Sequence, residues 1–187
     1  MTTETAQLFF ALLALAANAA VVGLVLAHVL AARSPATTAG QRATLMLDGM
    51  ADSALLLAWV VALTCTLGSL YFSEVANFTP CALCWYQRIV MYPLALLLGI
   101  AAWQRDVGIG RYALPMAAVG AAFSLYHYLL EWFPRLDAGA CSLTIPCEFV
   151  WFREFGFMTL SYMALSGFLL IAALLTTTRH HPAPEEI

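Results

Sequence analysis

Residues 78–103 read FTPCALCWYQRIVMYPLALLLGIAAW, and the part of that stretch beyond the second cysteine, residues 85–103, decides the fold. After Arg88 it carries no charge. A helix of this length, at about 1.5 Å per residue, crosses the roughly 30 Å hydrocarbon core of a bilayer. Four further stretches have the same character, at residues 6–32, 54–72, 112–130 and 157–175. Of 187 residues, 63% are hydrophobic and 10% charged, whereas a soluble domain carries about 25% charged residues. In lipid every backbone polar group must be paired within the chain, which leaves helix bundles and closed barrels. The apolar runs are continuous and do not alternate, which excludes the barrel. The expected fold is an all-α membrane protein with five spans in one compact domain. Net charge is −3 and lysine is absent, so no basic footprint for nucleic acid exists.

Arginine placement sets orientation, because cytoplasmic loops collect positive charge. With the amino terminus outside, Arg33, Arg42, Arg105, Arg111 and Arg179 fall inside, and Arg88, Arg135 and Arg153 outside. The connections then read 33–53, 73–84, 104–111 and 131–156, followed by a cytoplasmic tail at 176–187. The first stretch lacks a positive n-region and exceeds a usual h-region, so it reads as a retained span and not as a signal peptide. In this orientation the cysteine pairs Cys81/Cys84 and Cys141/Cys147 both face the extracytoplasmic side, where thiols can oxidise. The fifth cysteine, Cys65, sits mid-span and reads as a packing residue.

In the first pair, Thr79 is a candidate N-cap and Pro80 suits a first helical position, so the helix starts at the cysteines. Free N–H groups and the helix dipole favour thiolate there. Cys81 and Cys84 share one face and are close enough for a reducible disulfide. Arg88 lies four residues beyond Cys84 on that face and can stabilise a thiolate or an adjacent anion. Other readings stay open: a zinc site using both pairs, a static disulfide, or Arg88 as a membrane-surface anchor.

The connection at 131–156 is long for a bundle and holds Cys141 and Cys147. The aromatic run at 149–152 is expected to lie at headgroup depth, leaving the two cysteines mobile above it. A mobile disulfide beside a helix-held one suits thiol–disulfide exchange; a loop staple is the alternative.

At Pro80-Cys-Ala-Leu-Cys-Trp-Tyr-Gln-Arg88, taken with Cys141 and Cys147 in the next outer loop, the chain resembles the DsbB family, and its shorter loop spacing is similar to the BdbC branch. The resemblance covers roughly residues 54–175. It implies a four-helix bundle holding a quinone, ubiquinone or menaquinone, near the outer leaflet of a bacterial inner membrane. The implied activity is reoxidation of an extracytoplasmic, thioredoxin-fold, DsbA-like thiol oxidase, with electrons passed to the membrane quinone pool. By the same resemblance Cys81 and Cys84 form the quinone-proximal pair, with Cys84 adjoining the ring. Arg88 and His127 belong to the quinone site, Cys141 attacks the partner, and Cys147 exchanges with Cys81. No metal is expected. The departure is residues 1–53, an extra amino-terminal helix and loop that the family pattern lacks.

Energetics favour a quinone as acceptor. Against a glutathione pool near −200 mV, the reference value of about −120 mV for DsbA itself makes reoxidation uphill by roughly 3.7 kcal/mol. A vitamin K epoxide reductase-like enzyme is the nearest rival; the Trp-Tyr-Gln-Arg88 context favours the first reading. A transporter or metal-binding protein would place ionisable residues mid-bilayer, where the five stretches hold almost none. A structural adaptor would need no outward cysteine pairs.

Overall fold

The computed structural model describes residues 2–137, 139, 141 and 146–178. The apolar stretches form five helices: α1 (Thr3–Arg33), α2 (Thr38–Leu70), α3 (Ala82–Gln104), α4 (Gly110–Trp132) and α5 (Leu160–Thr178). All five are long and apolar enough to cross a membrane. The protein is thus an all-α, multi-pass membrane protein with five spans. Arg179 and the rest of the expected tail, residues 179–187, lie outside the described residues.

Helices α2, α3, α4 and α5 pack as a four-membered bundle, and α1 lies outside it against α2 and α5. The shared core is apolar, mostly aliphatic, with Leu94, Leu98, Ala58, Ala117, Ile171 and the aromatic Phe168 all buried. Small residues set the close approaches. A Cβ at Gly120 of α4 would strike the Phe168 ring of α5, and one at Gly167 of α5 would meet the Cys65 sulfur of α2. Cys65 therefore fills a packing niche, in keeping with its mid-span position.

One connection differs from expectation. The loop expected over 33–53 is only Ser34–Thr37, and α2 begins at Thr38. Thr37 caps it, its side chain accepting from the Gly40 N–H. The reason is legible afterwards: Gly40, Ala43, Leu47 and Ala51 recur at helical spacing and are buried. Charged residues between them lowered the local hydropathy without breaking the periodicity. Arg42 thus sits on a helix and not in a loop.

Candidate functional site

The site begins where α2 stops being an α-helix. Residues Tyr71–Val75 form a π-turn, and Ala76 N–H donates to the Tyr71 carbonyl. The wider turn changes which carbonyls the helix consumes. The Ser69 carbonyl accepts from Arg88 Nη2 at 3.0 Å and from the Ser73 hydroxyl at 3.2 Å. Arg88, of α3, is thereby tied to α2 while its guanidinium stays beside Trp85 of its own helix, 5.4 Å from the ring centroid. Left-handed Asn77 then turns the chain toward α3.

The helix start differs from the expected cap. Cys81, not Thr79, is the N-cap of α3, and the Cys84 N–H donates to its sulfur at 3.2 Å. Cys81 occupies the place that serine or threonine usually takes, so helix-terminal stabilisation of negative charge falls on Cys81. The two free thiols stand 2.8 Å apart.

Cys141 and Cys147 form a disulfide. It does not ride above the bundle as expected: Cys147 is 2% exposed and clusters with Cys81, Leu83 and Leu130. Part of the aromatic run after it also contacts the bundle, while Phe149 stays 57% exposed. Trp151 stacks on Phe78 with centroids 4.6 Å apart, and Phe152 lies 5.6 Å from Phe72. Phe78 is stacked between Phe72 and Trp151, which ties the connection before α3 to the one before α5.

His127 of α4 ties the pairs together. Gln87 donates its amide to Nδ1 at 3.0 Å, which leaves the Nε2–H to donate. Nε2 lies 3.1 Å from the Cys147 carbonyl and 3.6 Å from the Cys81 sulfur. The structure thus places His127 against Cys81 and Cys147, while Arg88 faces a different space and Cys84 stands between the two. Gln87 and Glu131 are site residues that the sequence reading missed. Both stand in helical register with residues the sequence singles out, Gln87 three residues after Cys84 and Glu131 four after His127. The half-buried Glu131 accepts at Oε1 from Ser161 at 2.6 Å, and its buried Oε2 has no hydrogen-bond partner among the described residues.

Two cavities meet at Cys84. One, of about 500 Å³, is lined by α1, α2, α3 and α5, with Cys84, Gln87, Arg88, Ser69 and the hydroxyls of Thr64, Ser73, Thr79 and Tyr92 among largely apolar walls. The other, of about 460 Å³, is bordered by Cys81, Cys84, His127, Glu131 and Pro146. Cys81 borders only the second.

The Cys81 thiol is held well below its ordinary value, first by its hydrogen bond with Cys84 and then by the hydrogen bond from His127, against the opposing effect of burial. Its contribution to the stability of the reduced protein is complete above the unfolded thiol value, about 9, and is lost as pH falls through the lowered folded value. Thiolate ultraviolet absorbance, taken as reduced protein minus Cys81→Ser, is expected to persist well below pH 9. In His127→Ala its loss should move to higher pH; an unchanged midpoint would remove His127 from the cause.

A dithiol and a disulfide in one buried cluster, at one end of a helical membrane bundle, define a membrane-embedded disulfide oxidoreductase. The sequence matches the family described as "Disulfide bond formation protein DsbB" over residues 51–178, and the chain belongs to that family. It is 50% identical over 115 residues to "Disulfide bond formation protein C" of Bacillus subtilis, covering 61% of this chain and 83% of that one. With "Probable disulfide formation protein C" of Bacillus cereus it shares 50% over 122 residues, 65% and 88% of the two chains. A "Probable disulfide formation protein" of Deinococcus radiodurans is 44% identical over 138 residues, 68% and 90%. No solved structure shows a significant match. Helix α1 precedes the family segment entirely.

Proposed function

We propose that the protein reoxidises an extracytoplasmic, thioredoxin-fold thiol oxidase and delivers the electrons to a membrane quinone. The observation that carries this reading is the position of Cys84, between the cavity it shares with Cys81 and His127 and a largely apolar cavity that also reaches Arg88. An apolar space of about 500 Å³ with a few convergent polar groups is of ligand size and character. The residues fit a quinone: Arg88 and Gln87 would hold its polar ring beside Cys84. When bound, the quinone is a co-substrate taking two electrons and two protons.

The protein's own steps balance as exchanges. The partner dithiol is oxidised while Cys141–Cys147 is reduced to two thiols. Cys147 thiolate then attacks the Cys81 sulfur of an oxidised Cys81–Cys84 pair, and Cys84 leaves as thiolate beside Arg88. Cys141 next attacks Cys147, restoring their disulfide and releasing Cys81. A low thiol pKa makes Cys81 a fast leaving group. The pair is left as a dithiol, ready to return to the disulfide by losing two electrons. His127, donating to Cys81 and to the Cys147 carbonyl, holds the attacking and attacked sulfurs in one cluster. The direct test is protein purified from membranes, supplied with a reduced thioredoxin-fold oxidase and a soluble quinone. Stoichiometric quinol formation is expected; disulfide exchange without quinol would end the quinone reading.

A second reading has one observation behind it. Cys81, Cys84 and His127 offer three donor atoms within 4.8 Å of one another, a set that can hold a metal ion. Metal analysis separates the two: under the redox reading, purified protein carries two disulfides and no stoichiometric zinc, while one zinc per chain with Cys81 and Cys84 blocked supports the other.

Orientation is part of the proposal. The amino-terminal end of α1 lies at the cysteine end of the bundle, where Phe10 packs on Gly68 and Phe72, so a bacterial inner-membrane protein of this kind has its amino terminus outside and its carboxyl end in the cytoplasm. On intact cells after gentle reduction, a membrane-impermeant thiol reagent should label Thr3→Cys and Cys141 but not Ala36→Cys. Gly40 is unsuitable as the inner reporter because a side chain there would strike the Ser34 carbonyl. Labelling of Ala36→Cys, or cleavage after Ala32, would put the cysteine pairs in the reducing cytoplasm and end the relay.

A further inference from the structure

The apolar cavity at Cys84 has a wall that the family segment does not supply. Phe10, Ala14, Ala17 and Ala20 of α1 line it, and α1 lies before residues 51–178. We propose that α1 is the wall along which the isoprenoid tail of the quinone lies, and that Ala17 limits what tail the channel accepts. The proposal rests on the quinone reading above and goes beyond it, because it gives the extra helix a part in substrate selection.

Three observations carry it. The first is length: from Phe10 to Ala20 the lining follows α1 for roughly 15 Å, which suits an elongated ligand and not a ring alone. The second is polarity. Cys84, Gln87, Arg88 and Ser69 stand with Phe10 and Phe72 at the cysteine end, while the α1 alanines farther along are matched by Val60, Val61 and Leu170. A redox head at Cys84 therefore leaves only an apolar tail to extend past the alanines. The third is register. Ala14, Ala17 and Ala20 recur every three residues, so they share one face, and their methyl groups leave room that larger side chains would fill. That face is fixed in rotation: Asn18 Nδ2 donates to Ser166 Oγ of α5 at 3.1 Å. Ala11 and Ala14 also pack on Met158. Phe10, held against Gly68 and Phe72, closes the wall at the cysteine end.

The experiment has two arms, both on the full chain in lipid nanodiscs. In the first, the unmodified protein is irradiated with a quinone carrying a diazirine on its tail, and the adduct is mapped by mass spectrometry. Adducts within residues 10–20, displaced by unlabelled long-tailed quinone but not by excess phospholipid, are expected. Adducts confined to other helices, or displaced by phospholipid, would overturn the proposal. In the second arm, Ala17→Phe is compared with Ala19→Phe, an exposed position that does not line the cavity. Ala17→Phe should raise the KM for a long-tailed quinone about tenfold or more, with the KM for a tail-less quinone and the dithiol exchange rate within about twofold. Ala19→Phe should match the unmodified protein. Equal behaviour of the two variants, or equal loss of tailed and tail-less quinones in Ala17→Phe, would overturn the assignment. Should Ala17→Phe lose disulfide exchange through misfolding, the mapped adduct decides alone. Failure of the unmodified protein to reduce any quinone is a separate result and sinks the underlying function instead.

Discussion

Cys81→Ser is expected to abolish steady-state oxidation of the partner, a loss of at least roughly 10³-fold, while the protein still folds. Folding survives because Cys81 is the N-cap of α3, and serine is among the strongest capping residues. The chemistry does not survive, because a serine hydroxyl cannot take part in thiol–disulfide exchange. The defect should have a defined shape. One equivalent of reduced partner should still be oxidised by Cys141–Cys147, and turnover should stop there. Cys84→Ser should stop one step later. Cys81 can then attack the second disulfide, and a Cys81–Cys147 bridge should accumulate, readable by peptide mapping without reductant. The burial of Cys147 against Cys81 is what makes that bridge the expected product. A Cys81–Cys141 bridge in its place would reverse the assigned order of the second pair.

Arg88→Leu carries the next largest effect. Loss of a positioned cationic donor at a site of developing negative charge costs about 10²- to 10³-fold. That loss should appear in kcat/KM for the quinone, with single-turnover exchange between partner and protein nearly unchanged. The separation is expected because Arg88 lines the apolar cavity and not the space around Cys81 and His127. Arg88 also donates to the Ser69 carbonyl, so Arg88→Lys should restore fold stability and part of the quinone reaction. Equal loss in both half-reactions would make Arg88 a structural tie between α2 and α3. His127→Ala should show the opposite bias, slowing exchange between the cysteine pairs more than use of the quinone.

Local sequence was sufficient for the helices and for the cysteines, and insufficient for their surroundings. Five apolar runs of span length, with Arg88 their single charged residue, can only be helices in lipid, and a C-x-x-C spacing in a helix places both sulfurs on one face. Those facts depend on backbone hydrogen bonding and helical pitch, which are properties of near neighbours. The start of α2 at Thr38 was also written in the chain, in Gly40, Ala43, Leu47 and Ala51, but average hydropathy hid it behind the intervening polar residues. The rest was decided between helices. That Cys81 caps α3 depends on where the chain from the π-turn delivers it. That His127 meets Cys81 and Cys147, with Gln87 fixing its tautomer, depends on the packing of α3, α4 and the connection between α4 and α5. That Trp151 stacks on Phe78 depends likewise on how the connection before α3 meets the one before α5. Helix α1 is the extreme case: its sequence specifies a span and a small-residue face, but a span in lipid gains little from its own apolar surface. Its place beside the cavity comes from Phe10 on Gly68 and Asn18 on Ser166, contacts that exist only once α2 and α5 are side by side.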